Sequence, residues 1–204
     1  AAAYADGARR PPGYDVDPAV GNHGRRVGIV GASRVGRRVI ELLAPFDLEV
    51  LLSDPTVGAE DAARLGVRLV ELDDLVSTCD VVSIHAPDIP ATRHLFDARR
   101  LGLMRDGATL INTARGRIVD TTALTAELVS GRLYAVLDVT DPEPLPAASP
   151  LFGLPNVTVT PHIAGSLGNE VRRMGELAVA ELERFAAGQP FAHPVREEQW
   201  SILA

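Results

Sequence analysis

The chain has 204 residues, 46% hydrophobic and 23% charged, enough to bury a sizeable core and too apolar to stay unfolded. Its formal net charge of −7 repels phosphate overall and argues against nucleic acid and anionic membrane as partners. All 20 basic residues are arginine, which excludes Schiff-base and P-loop lysine chemistry, and the single cysteine, Cys79, excludes an internal disulfide or a cysteine-built metal site.

Residues 1–24 are rich in Ala, Gly, Pro and Arg, lack periodicity and are expected to be poorly ordered. They carry no apolar signal-peptide run, and no stretch approaches the roughly 18 residues of a membrane span, so a cytoplasmic protein with Cys79 as a buried, reduced thiol is expected. From Arg26 onward short β-branched runs alternate with helical patterns: RVGIVG then RVGRRVIELLA, LEVLLSD then GAEDAARLG, VRLVE then LDDLVST, DVVSIHA then ARRLGLM, ATLINTA then DTTALTAELVSG, followed by LYAVLDV and VTVTPH. A last helical pattern, about Gly168 to Ala187, carries Val171, Met174, Leu177, Ala178, Leu182 and Phe185 on helical spacing and stops at Gly188. Continuous apolar strands, each followed by a helix, predict a parallel sheet covered on both faces, a doubly wound α/β fold.

The stretch VGIVGASRVG, residues 27–36, reads as a strand entering a phosphate-binding turn. In such a turn the first glycine permits the bend, the second lets backbone approach a pyrophosphate, and the third lets helix pack on strand. Gly31 and Gly36 hold the first and third places, and Ser33 holds the second. Its hydroxymethyl group either crowds the anion or donates to it, and serine also suits a helix start, where unpaired N–H groups attract phosphate. Asp54 closes the second strand 18 residues after Gly36, where a carboxylate meets adenosine ribose hydroxyls and repels a 2′-phosphate; NAD is expected over NADP. The competing role for Asp54 is to form the turn before Pro55.

Three later segments put polar residues at the carboxyl ends of apolar strands, the edge where open α/β sheets bind ligands. They are LINTARG with Arg115, VLDVTDPEP with Asp138 and Glu143, and VTVTPHIAG with His162. An imidazole to take a hydroxyl proton, a carboxylate to orient it and a guanidinium to bind a carboxylate or carbonyl are the parts needed to oxidise a 2-hydroxy acid. Each has a plainer role open to it: a core histidine, a surface arginine, a solvated loop carboxylate. His85 reads as packing near the cofactor, and no cluster has metal-ligand spacing.

Taken together, GASRVG, SDP, DVVSIHAPDIPATRHLFD, MRDGATLINTARGRIVD, GRLYAVLDVTDPEP and LPNVTVTPHIAG, in this order over roughly residues 25–195, resemble the NAD-binding domain of the D-isomer-specific 2-hydroxyacid dehydrogenases. The resemblance implies a Rossmann domain at 26–188, with the N-terminal substrate domain missing or truncated, residues 1–25 as a linker or remnant of it, and a tail at 189–204. It implies Arg115, Glu143 and His162 as the catalytic trio. Asp138 would hold the nicotinamide carboxamide, Thr113 and Ala114 would line its ribose, and Gly31, Ser33, Arg34, Val35, Gly36, Asp54 and Gly165 would complete the cofactor contacts. A small 2-hydroxy or 2-keto acid is the implied substrate and a homodimer the implied assembly. Family members close a second domain over the cleft, and only 25 residues precede Arg26 here, so NAD binding with weak or absent turnover is expected of this chain alone. Two other readings stay open: an NAD-sensing corepressor-like module of the same family, and a Rossmann domain for another adenosine ligand such as S-adenosylmethionine.

Overall fold

The computed structural model of the chain describes residues 21–197; residues 1–20 and 198–204, with most of the predicted linker and part of the predicted tail, lie outside the described residues. Among the described residues seven strands, β1 (Arg26–Val30), β2 (Glu49–Ser53), β3 (Arg68–Leu69), β4 (Val81–Ile84), β5 (Thr109–Asn112), β6 (Tyr134–Leu137) and β7 (Val157–Val159), form one sheet. Its order is β3-β2-β1-β4-β5-β6-β7 and every pair is parallel. The helices are α1 (Arg34–Leu43), α2 (Ala59–Arg64), α3 (Leu72–Thr78), α4 (Ala98–Leu103), α5 (Thr121–Val129) and α6 (Glu170–Ala186). This is the doubly wound arrangement that the alternation of strand and helix predicts.

Strand alternation divides the apolar residues between two cores. Val27, Ile29 and Leu52 pack with Ile40 of α1 and Ala62 of α2 on one face. Val30, Leu51, Val82, Ile84, Leu110 and Leu137 pack with Leu75, Leu101, Leu124 and Leu128 on the other. Each fully buried leucine contributes about 1.5–3 kcal/mol, and the two layers hold the strand ends in fixed register. Helix starts are set by local chemistry: Asp97 accepts from Arg100 N before α4, and Asp120 from Ala123 N before α5. Cys79 is buried against Gly28, as its sequence context suggests.

The last helix differs. Its apolar spacing matches the expectation, yet no residue of α6 is buried, and Val171, Met174, Leu177, Leu182 and Phe185 are each at least half exposed. Periodicity specifies which side of a helix is apolar and leaves open what covers it. Among the described residues no helix is long and apolar enough to cross a membrane.

Candidate functional site

The site lies along the carboxyl edge of the sheet. At its β1 end, Gly31 adopts φ +96°, and a Cβ there would come within 2.7 Å of Ala86 N at the end of β4. A Cβ on Gly36 would overlap the Gly31 carbonyl oxygen, so α1 packs directly onto the turn. Ser33, at φ −60° and ψ 176°, is the cap of α1: its Oγ accepts from Gly36 N at 3.2 Å. The second glycine place therefore needs no left-handed backbone, and serine fits it with its hydroxyl oxygen turned onto the helix. Arg34 and Val35, both exposed, open the helix with amides that have no intrahelical acceptor.

Asp54 braces this turn. Its Oδ2 accepts from Ala32 N at 2.6 Å, and its Oδ1 accepts from Thr56 N at 2.8 Å and Thr56 Oγ1 at 2.6 Å. Asp54 forms this turn and can also meet a ribose, because Oδ2 keeps a lone pair. A tight glycine turn, free helix-start amides and a half-buried carboxylate beyond the second strand fit a dinucleotide. His85 is buried, bonded through Nε2 to Ser83 Oγ at 2.9 Å, and its own burial lowers its pKa, favouring the neutral ring. It packs behind Gly31 and Gly36.

At the β5–β7 end three loops meet. Buried Asn112 closes the first: its Nδ2 donates to Arg115 O at 2.9 Å and its Oδ1 accepts from Ala114 N at 3.1 Å. A Cβ on Gly116 would overlap the Thr140 carbonyl oxygen, so this loop rests on the one that follows β6. The exposed Arg115 guanidinium donates through Nη1 to Ala114 O at 2.7 Å. Thr113 and Ala114 are half-buried in the same loop, whereas Gly165 lies in an exposed loop with open space around its Cα.

Asp138, 3% exposed, organises the third loop. Its Oδ1 takes Thr160 Oγ1 at 2.5 Å and Ile163 N at 2.8 Å, and its Oδ2 takes Ala164 N at 2.9 Å. Burial pushes this carboxyl up; the bonds from Thr160, Ala164 and Ile163 outweigh it and hold the pKa below its usual value. One lone pair on Oδ2 is left for a ligand N–H. The backbone N–H of His162 donates to Asp138 O and Thr160 O, both at 3.0 Å, and the residue sits in the left-handed region at φ +54°. That strained conformation is over-determined by the bonds around it.

It aims the imidazole at Glu143: His162 Nδ1 lies 2.6 Å from Glu143 Oε1. The pair borders a cavity of about 470 Å³ whose walls include Leu145, Phe152 and Val159. Of the predicted trio, the structure joins His162 to Glu143 directly and places Arg115 on the adjoining loop without a bond to either. Asn112 and Thr160 are the supporting residues that sequence reasoning missed; a polar residue at the end of an apolar strand was their signal. Among the described residues no group of three or more His, Cys, Asp and Glu could hold a metal.

The sequence model of the D-isomer specific 2-hydroxyacid dehydrogenase, NAD binding domain, matches residues 12–164. D-3-phosphoglycerate dehydrogenase of Mycobacterium tuberculosis is 40% identical over 169 residues, 82% of this chain and 32% of that protein. Among solved structures, the TT0316 protein of Thermus thermophilus superposes with a TM-score of 0.77 at 38% identity, covering 96% of this chain and 61% of that one. The NAD-dependent formate dehydrogenase of Staphylococcus aureus, solved in complex with NAD, has a TM-score of 0.69 at 35% identity, covering 83% and 50%. The chain thus spans about a third of the length of the curated phosphoglycerate dehydrogenases it matches.

Proposed function

The chain belongs to the D-isomer specific 2-hydroxyacid dehydrogenases, and from that membership we propose that it is the cofactor-binding and proton-transferring part of an oxidoreductase for a D-2-hydroxy acid and its 2-keto counterpart. The observation that carries this reading is the bond between His162 Nδ1 and Glu143 Oε1 at the carboxyl end of β7. With its Nδ1–H donating a hydrogen bond to Glu143, the neutral imidazole presents a bare Nε2 lone pair. That nitrogen takes the substrate hydroxyl proton during oxidation and returns it during reduction, and Glu143 stabilises the imidazolium in between. Arg115 binds the substrate carboxylate or carbonyl by swinging its exposed guanidinium off the Ala114 carbonyl.

NAD, when bound, supplies the hydride acceptor or donor. Gly31, Ser33, Arg34, Val35 and Gly36 would cradle its pyrophosphate and Asp54 its adenosine ribose. Thr113, Ala114, Asp138 and Gly165 would surround the nicotinamide end, with Asp138 using the open side of Oδ2. We assign a homodimer of a cytoplasmic enzyme acting on a small acid, a reading supported by the family.

The test is a fluorescence titration of the chain with NADH, followed by steady-state assays of the full-length protein on glyoxylate, pyruvate, hydroxypyruvate and its phosphorylated form. NADH binding with turnover of at least one keto acid supports the reading. A chain that ignores NADH and binds S-adenosylmethionine overturns it.

A further inference from the structure

The adenosine end of the site holds an ion pair that none of the steps above uses. Arg37, in the first turn of α1, directs Nε to the Ala32 carbonyl oxygen at 3.0 Å and Nη2 to Asp61 Oδ2 at 2.5 Å. The N–H of the same Ala32 donates to Asp54 Oδ2 at 2.6 Å. A single residue of the glycine turn is thus gripped by Asp54 on its amide side and by Arg37 on its carbonyl side. Asp61, in the first turn of α2, also accepts from Arg64 Nη2 at 3.1 Å.

The charges follow this geometry. Hydrogen bonds from Arg37 and Arg64 hold the Asp61 carboxyl down at about 2. The Arg37 guanidinium is raised, first by its bond to Asp61, against burial, and further by the charges of Asp61 and Asp54. Arg37 is therefore close enough to Asp54 to feel it, while its charge is already matched by Asp61.

A phosphate on the 2′ position of an adenosine ribose would bring a charge of roughly −1.5 to −2 to this place. Asp54 repels it. A guanidinium with its fork free is the side chain best shaped to offset that repulsion, and here its Nε–Nη2 edge is engaged by Ala32 and Asp61. We propose that the Asp61–Arg37 pair is a second determinant of cofactor choice: Asp61 occupies the guanidinium that would otherwise bind a 2′-phosphate beside Asp54. The chain then selects NAD over NADP by withholding a cation as well as by presenting an anion. The inference rests on residues 31–36 and Asp54 forming a dinucleotide site.

The test is a set of equilibrium titrations of the chain with NADH and with NADPH, alongside thermal melts, for the wild type, Asp61→Asn, Asp61→Ser, Arg37→Met and the double variant Asp61→Asn with Arg37→Met. Asp61→Asn should tighten NADPH by about tenfold, the size of one charge-assisted contact to an anion, while NADH stays within about threefold. Adding Arg37→Met should remove that gain, and Asp61→Ser should reproduce it. An unchanged NADPH affinity in both Asp61 variants, a gain that survives loss of Arg37, or parallel losses for both cofactors with a lowered melting temperature would overturn the proposal and leave the pair as a tether between α1 and α2. A wild type that binds neither nucleotide would overturn the dinucleotide reading itself.

Discussion

His162 and Glu143, 19 positions apart in sequence and carried on the loops after β7 and β6, meet at 2.6 Å through Nδ1 and Oε1. The contact fixes which imidazole nitrogen faces solvent. In the full-length protein, His162→Ala should lower kcat by about 10² to 10⁴, the usual worth of a positioned general acid–base group. NADH affinity should stay within a few-fold, because no cofactor contact is removed. Glu143→Gln should lower kcat by a smaller factor and shift the pH–rate profile. Stopped-flow binding with steady-state turnover checks both, and a large loss of NADH binding in His162→Ala would mark the histidine as structural.

Ser33 caps α1 through Gly36 N. Ser33→Ala should therefore cost about 1 kcal/mol of stability and Ser33→Gly only a few tenths. Urea unfolding midpoints at constant m-value measure the difference. Equal costs for the two variants would show that the cap contributes nothing.

At Gly116, next to Arg115, a Cβ would overlap the Thr140 carbonyl. Gly116→Ala must separate the loop of Arg115 from the loop of Glu143. Overpacking of this kind costs about 1–3 kcal/mol, and kcat should fall by roughly ten- to a hundredfold through displacement of oriented groups. Arg115→Lys, which leaves the loops in place, should retain the melting temperature, and calorimetry separates the two effects.

Cys79 is fully buried, and that burial pushes its thiol from an ordinary 9.0 to about 11, against the opposing pull of Arg26. Above about pH 9 the unfolded chain releases this proton while the folded chain keeps it. The folded state accordingly binds more protons there, and its stability, undiminished below about 9, declines as pH rises toward about 11. Cys79→Ala should flatten that decline in a urea series at stepped pH. Identical slopes in the two proteins would contradict the assignment.

Much of the architecture was legible because parallel strands buried on both faces read as unbroken apolar runs, such as VGIV of β1 and VVSI of β4. The glycine turn was legible for a local reason, since its bend needs φ +96° at Gly31. What the chain order hides is side-chain partnership across long separations. Nothing in LINTARG says that Asn112 folds back on Arg115 and Ala114, or in VTPH that Thr160 completes the bonds to Asp138. The left-handed backbone of His162 and the pairing of Arg37 with Asp61 are equally silent in sequence, because both depend on elements brought together by the sheet. Ser33 reads ambiguously from sequence for the opposite reason: the residue type suits both a crowded anion site and a helix cap, and only the folded turn brings its hydroxyl oxygen onto Gly36 N.

The strand order also acts as a ruler. Asp54 follows β2 and His162 follows β7, with β1, β4, β5 and β6 between them, so five interstrand gaps of about 4.8 Å separate the two by roughly 24 Å across the sheet. That span is stamped by backbone pairing and is indifferent to which side chains fill the loops. Substitutions can retune either extremity, whereas lengthening or shortening the reach would demand adding or deleting a whole strand.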